Sequence, residues 1–596
     1  MITDEKLDQR LAALREYSAP SGIKFASAEA FKARLFARAA AIDAATPRHA
    51  EDEEYDDEPP SRVPRLKDML FPERSSGVSV RGIAASAPLF ASRSAGMMKY
   101  CMMKYCMMDS CMSMSAFDSD GDLGAAAPQF DTEEYRSVAE KPFLATARNP
   151  LATFGAEVDT AGYTTARRMI LEENRLPAPD SVRLDEFLNY FRYDYPAPEG
   201  ENALAPHFEF ASAPWAPAHR LLLVGIQART VEAELLPAAH YVFLVDNSGS
   251  MCDAMAIVKE AMGLLARQLR PQDKVSLVTY GGQVRTLCAG SGDRELLLKR
   301  IHQLKADGCT PGGQAIQQAY KLAHEHYIPG GNNRIVLITD GDFNVGASSE
   351  AVLTSMVEKE RGKGIYLSVI GTGCGNYKDN RMKMLANKGD GNYIYIDTPA
   401  EARRAFTQGL SGQMFTLAHD AKFQLEFNPG RVYAYRLLGY ELRQMADADF
   451  RDDRKDSGEI GVGQQVTALF ELVMTDAPQE VKAAALTDTP PLRYSTMTAT
   501  GSSELLTFHL RYQRPEGGGA VEQEVVVPEA APGKNLDWAA TIAEFALLLR
   551  NSPYKGTATY GEVVARAKQD LGPSSDDERL AFVAMARRAG ELAREE

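Results

Sequence analysis

The chain contains no stretch of about 18 or more apolar residues, the length a membrane-spanning helix requires, so no spanning segment is expected. Its first residues, MITDEKLDQRLAALREYSAP, are charged throughout and lack the apolar core of a secretory signal. The expected compartment is the cytoplasm, with export or the cell envelope as the alternative if the true N-terminus differs. Basic charge is in short supply: 66 Lys and Arg face 81 Asp and Glu, a net charge of −15, which argues against a nucleic-acid partner. The seven cysteines form an odd set with no disulfide-like framework, which agrees with a reducing compartment. No P-loop, G-x-S-x-G or HExxH pattern occurs, and these absences remove the commonest nucleotide-binding, acyl-transfer and zinc-hydrolase readings.

At 596 residues the chain is too long for one core, and two to four domains are expected. A hydrophobic share of 45% and a charged share of 25% are ordinary for a globular protein. Much of the acidic excess is local, because residues 51–58, EDEEYDDE, carry seven carboxylates in eight positions and read as a solvated, unstructured stretch. Residues 27–44 form an amphipathic helical pattern suited to a partner or to a tail helix. The repeat MMKYC-MMKYC-MMDSC at 97–111 places Cys101, Cys106 and Cys111 at a five-residue period, which lines no single face of a helix or strand. Three readings stand: a Cu(I) site of soft sulfur ligands, a redox-sensitive tether, or low-complexity linker sequence.

The strongest chemical signal is YVFLVDNSGSM at 241–251, an apolar strand running into Asp246, Ser248 and Ser250 on alternate positions of a tight turn. Hard oxygen ligands at the carboxyl end of a strand suit a Mg²⁺-type ion. Thr310, in the loop GCTPGG, adds a hydroxyl, and Asp340, closing the apolar run RIVLIT, adds a second carboxylate. A polar strand-to-helix turn capped by Ser and Asn would explain DNSGS but neither Thr310 nor Asp340.

In order and spacing, these five residues resemble the metal-ion-dependent adhesion site of von Willebrand factor A domains. The resemblance implies that Ser248, Ser250 and Thr310 coordinate the ion, with Asp246 and Asp340 bridged through water. It also implies one open coordination position for an acidic group of a partner. Mg²⁺ is the expected ion, with Mn²⁺ or Ca²⁺ as substitutes. The flanks ATFGAEVDTAGYTTARRMI, RLPAPDSVRLDEFLNYFRYDYP, EFNPGRVYAYRLLGYELR and IAEFALLLRNSPYKGTATYGEVV resemble bacterial YfbK-type von Willebrand A proteins. Bacterial relatives of this domain often work beside AAA⁺ ATPases, so such an ATPase is an expected partner.

Periodicity divides the chain into five regions: a low-complexity 1–135, helices and strands over 136–235, an A domain over 236–411, a β-rich 412–530 and a helical 531–596. Within the A domain, strands are predicted near 239–245, 275–280, 284–288, 334–339, 365–370 and 392–396. Helices are predicted near 252–269, 293–304, 312–327, 348–361, 378–388 and 399–410. The near-continuous apolar runs point to parallel strands covered on both faces, hence an α/β, doubly wound, mostly parallel sheet. Alternating runs at 206–230 and 418–530 predict one β-sandwich into which the A domain is inserted.

The ligand set is mainly neutral hydroxyls plus two carboxylates, a poor cradle for catalytic Zn²⁺, and none of the nine His falls within it. The expected function is therefore metal-dependent protein–protein interaction, as a scaffold or adaptor, rather than catalysis. A copper- or redox-responsive sensor is the alternative and a hydrolase the weaker one. Cys252, Cys309 and Asp342 stand beside the motif and read as packing or capping residues. GTGCGNYKDN at 371–380 reads as an ordinary loop.

Overall fold

The computed structural model describes residue 135 and residues 139–595, apart from 157–158, 307, 309–311, 342–349, 374–377, 409–413, 456, 487–500, 516, 518, 530 and 571–576. The acidic block, the 27–44 pattern and the Met/Cys repeat lie outside the described residues.

The chain opens with two short strands, β1 (Leu144–Ala145) and β2 (Leu151–Gly155), then helices α1 (Ala161–Leu171) and α2 (Leu184–Tyr190). Strands β3 (Leu204–Ala213) and β4 (Ala216–Ala228) form an antiparallel hairpin. The α/β segment follows. In order it comprises β5 (Ala239–Asp246), α3 (Met255–Gln268), β6 (Lys274–Tyr280), β7 (Arg285–Ser291), α4 (Arg294–His302), α5 (Gly312–Glu325) and β8 (Asn332–Thr339). Then come α6 (Glu350–Arg361), β9 (Ile365–Gly371), α7 (Asp379–Lys388), β10 (Tyr393–Tyr395) and α8 (Pro399–Arg403). The helix expected over 399–410 is α-helical only to Arg403 and continues as a π turn, Arg404–Gln408. The wider turn coincides with Arg404, whose guanidinium pairs with Glu401 at 2.6 Å and lies 4.2 Å over the Tyr190 ring.

The central sheet has the order β10-β9-β8-β5-β6-β7, parallel from β10 to β6, with β7 antiparallel at one edge. Chain order reverses direction across the sheet at β5, whose neighbours are β6 on one side and β8 on the other. That is the switch point at which open α/β sheets hold ligands. All eight residues of β5 are buried, as are all eight of β8, because helices cover both faces. Val242 and Leu244 pack under α5, α6 and α7; Tyr241, Phe243 and Val245 pack under α3, α4 and α8.

The remaining strands are β11 (Thr416–Phe427), β12 (Val432–Leu438), β13 (Gly458–Gly461), β14 (Gln465–Met474), β15 (Leu506–Gln513) and β16 (Ala520–Val527). A short helix, α9 (Gln479–Ala485), interrupts them, and α10 (Lys534–Leu549), α11 (Tyr560–Gln569) and α12 (Asp577–Glu595) end the chain. They complete a sandwich of two sheets, β1-β12-β14-β4-β3 and β13-β11-β15-β16, with β2 paired to β11. Strands from before and after the α/β segment pair directly, since β4 runs antiparallel to β14 from Arg220↔Leu472 to Gln227↔Gln465. Alternation is clean in β15, where Leu506, Phe508, Leu510 and Tyr512 face the core.

The outer face of the first sheet carries a helical layer. Leu221, Leu223 and Leu469 meet Tyr163, Phe187, Phe191, Trp538, Phe545 and Phe582, so α1 and α2 share one core with α10 to α12. The Phe191, Phe545 and Trp538 rings stand edge-on to neighbours with centroids 5.2–5.8 Å apart.

Candidate metal centre

Asp246 is the last residue of β5 and Asp340 the first beyond β8; both are buried. Parallel pairing of Val245 with Ile338 places Thr339 beside Asp246, and the Thr339 hydroxyl donates to Asp246 Oδ2 at 3.1 Å. The Ser248 amide donates to Asp246 Oδ1 at 2.9 Å, which bends the chain into the turn that precedes the short 3₁₀ segment Gly249–Cys252. That bend brings Ser248 Oγ within 3.1 Å of Ser250 Oγ. The structure thus gathers Asp246, Ser248, Ser250 and Asp340 at the switch point. Thr310 lies outside the described residues, but the Gly249 amide donates to Gly308 O at 3.0 Å, tying the turn to the loop that carries it.

Burial and mutual proximity set the electrostatics of these groups. Burial first, and then the Asp340 charge, raise the Asp246 carboxyl to about 6 against the lowering effect of its hydrogen bonds from Ser248 and Thr339. Tyr280, which supplies a carbonyl to the Asn247 amide, is pushed well above the ordinary phenol value by burial first and then by the Asp246 charge. Two buried carboxylates beside the Ser248 and Ser250 hydroxyl oxygens are the donor types that a hard divalent ion takes.

Backbone segments pack closely around these residues, and glycine makes the packing possible. Gly341 adopts φ +94°, and a Cβ there would lie 2.6 Å from the Lys378 amide nitrogen. Gly308, at φ +80°, would place one 2.5 Å from Gly282 Cα. A Cβ on Gly373 would lie 3.2 Å from that of Asp340, and Tyr395 donates its hydroxyl to Gly373 O at 2.5 Å. Gly373, in the loop that follows β9, thus stands directly against Asp340. Thr339, Tyr280 and Gly373 stand beside these residues without belonging to the sequence motif; the one signal was the Thr hydroxyl immediately before Asp340.

Cys252 is an exposed free thiol at the end of the 3₁₀ segment. Cys101, Cys106, Cys111, Cys309 and Asp342 lie outside the described residues. A second ligand-type group, Asp390, His419 and Glu459, brings one atom from each within 4.8 Å of the others. Its charges are matched by neighbours: His419 pairs with Glu459 at 2.5 Å and Asp390 with Arg361 at 2.7 Å.

Residues 129–223 match the family described as von Willebrand factor, 241–342 the von Willebrand factor type A domain, and 412–592 "Uncharacterized protein YfbK, C-terminal". Over 465 residues the chain is 36% identical to "Uncharacterized protein YfbK" of Escherichia coli (strain K12), spanning 76% of this chain and 80% of that one. The chain belongs to the YfbK family. Among solved structures it is similar to a von Willebrand factor type A protein from Catenulispora acidiphila, at 15% identity and TM-score 0.38, covering 67% of this chain and 91% of that chain. The ArnB paralog VWA2 from Sulfolobus acidocaldarius is similar at 13% identity and TM-score 0.32, covering 66% of this chain and 98% of that chain.

This YfbK-family chain therefore carries a von Willebrand A domain, a module that commonly mediates protein interactions. Among its described residues no helix is long and apolar enough to cross a membrane.

Proposed function

We propose that the A domain captures a protein partner by sharing a divalent cation with it. The observation that carries this reading is the pair of buried carboxylates, Asp246 and Asp340, beside the Ser248 and Ser250 hydroxyls at the switch point of the sheet. Ser248, Ser250 and Thr310 would hold the ion directly, and Asp246 and Asp340 would anchor it through water. An ion held mainly by neutral hydroxyls keeps much of its charge, so it attracts an Asp or Glu from outside. Mg²⁺ is the ion we expect in the cell, with Mn²⁺ or Ca²⁺ able to replace it.

The donor set contains no His or Cys, the ligands that catalytic zinc favours, which supports binding over catalysis. We read the protein as a scaffold or adaptor whose partner presents an acidic side chain, an AAA⁺ ATPase being one class to seek. The exposed free thiol of Cys252 suits a reducing compartment, the cytoplasm.

The test is affinity capture from lysate on immobilised full-length protein, in Mg²⁺ and in EDTA, with Asp246→Ala as the paired control. A partner recovered with Mg²⁺ and lost with either EDTA or the substitution supports the reading. Equal recovery in all arms overturns it.

A further inference from the structure

At the other end of the same sheet lies a cleft of about 660 Å³ between the A domain and the sandwich. It is lined by residues just before β5, the start of β8, the start of β11 and the loop after β4. Its charge is opposite to that of the chain as a whole: among the described residues Arg229, Arg334, His419 and Arg514 line it, against the one acid Glu201.

Arg334 is the unusual member. It is only 2% exposed, yet among the described residues no carboxylate forms an ion pair with it. Its Nη1 donates to Ser368 Oγ at 2.8 Å and its Nη2 reaches Thr416 Oγ1, on the cleft wall, at 3.5 Å. Its Nε has no partner, and its guanidinium lies 5.2 Å from the centroid of the Tyr366 ring. The nearby acids are committed elsewhere, Asp390 to Arg361 and Glu459 to His419. Glu459 and Asp390 favour the charged form of Arg334 from a distance but do not offset its burial, so a buried guanidinium with no carboxylate in direct contact gains from an anion that pairs with it. The walls around it are apolar, including Val231, Phe415 and Val462, and the rim exposes Leu235 at 74%.

We propose that this cleft binds a small organic oxyanion, a carboxylate or phosphate ester on an apolar body, with Arg334 as its anchoring cation. The planar guanidinium suits either oxyanion, and the apolar wall receives the body. The site is independent of the metal centre: Arg334 and Asp340 stand six residues apart along an extended strand, about 20 Å.

The test is calorimetry on the full-length protein with three probes: phenyl phosphate, benzoate and inorganic phosphate. The inference expects at least one aryl anion to bind with a Kd below about 1 mM and more tightly than inorganic phosphate. Which aryl anion binds more tightly identifies the headgroup. Arg334→Met should weaken that binding at least about tenfold, the scale expected for a lost charge-assisted contact. Val231→Trp, in a partly exposed loop, should block the cleft without touching the guanidinium, and it decides alone if Arg334→Met fails to fold. Asp246→Ala should leave anion binding unchanged, so failure of the metal proposal is read separately. No binding by wild type, or binding undiminished in both cleft variants, overturns the inference.

Discussion

Arg183 and Asp379, 196 residues apart in sequence, are joined by two hydrogen bonds, Nη1 to Oδ2 at 2.7 Å and Nη2 to Oδ1 at 3.1 Å. The pair fastens the helical flank before α2 to the first residue of α7, one position after Lys378, whose backbone packs over Gly341 beside the metal centre. Lys383 of α7 adds a second tie to Glu186 of α2 at 2.5 Å and to Asp159 at 3.2 Å. The flank is therefore part of the scaffold that holds the site.

Arg183→Met tests that attachment. The substitution leaves Asp379 and Glu186 buried with one cation fewer, and removing one partner from a buried ion pair costs about 3–5 kcal/mol. Urea unfolding should show a midpoint lowered to match. An unchanged midpoint would show that the ion pair contributes nothing to the union of flank and A domain.

Gly341→Ala tests the backbone of the centre. At φ +94°, with the Lys378 amide nitrogen 2.6 Å from the new Cβ, alanine has neither the conformation nor the room. The expected cost is about 1–3 kcal/mol of stability, with metal affinity falling in parallel. Mn²⁺ titration of a folded Gly341→Ala protein that binds as tightly as wild type would contradict the account.

The α/β core was legible because its strands are nearly continuous apolar runs and its helices carry caps such as Asp293, which accepts from the Leu296 amide at 3.0 Å. The insertion into a sandwich was legible because 206–230 and 418–530 alternate with period two. The strand β2 was not: LATFG is five residues long and contains residues poor in β-propensity, and only its pairing with β11 makes it a strand. The ion pairs of Arg183, Arg167 and Arg436 were equally hidden, because an arginine carries no mark of burial and its partner stands far away in sequence. Arg334 shows the same limit, since its place at the head of an apolar strand does not mark it as buried. At the centre, four of the five motif residues are described and converge, whereas the contribution of Thr339 depends on strand register, which no local pattern reveals.

His240 predicts an acid-sensitive A domain. Burial first, then the His326 and Lys274 charges, lower its pKa from 6.5 to about 4. The folded state thus holds fewer protons than the unfolded state between these values. The stabilisation it provides is complete above about pH 6.5 and is lost as pH falls towards 4, about 3 kcal/mol in all. His240→Gln, which can still meet Ser276 Oγ, 3.0 Å from Nε2 in the native chain, should flatten this slope in unfolding measured from pH 7 to 4. An identical slope in both proteins would contradict the assignment.

Thr339→Val keeps the shape of the side chain but removes the hydroxyl that donates to Asp246 and accepts from the Gly341 amide at 3.2 Å. Each lost hydrogen bond is worth about 1 kcal/mol, so Mn²⁺ affinity should fall at least several-fold, with some loss of stability and the circular dichroism spectrum unchanged. Unchanged affinity would remove Thr339 from the site.

The most direct measurement is the stoichiometry of divalent-ion uptake by calorimetry, on wild type and on Asp246→Ala of native circular dichroism. The account predicts about one Mg²⁺ or Mn²⁺ per wild-type chain at the centre and none in the variant. A folded wild type that takes up neither ion, or a variant that binds as wild type does, would contradict it.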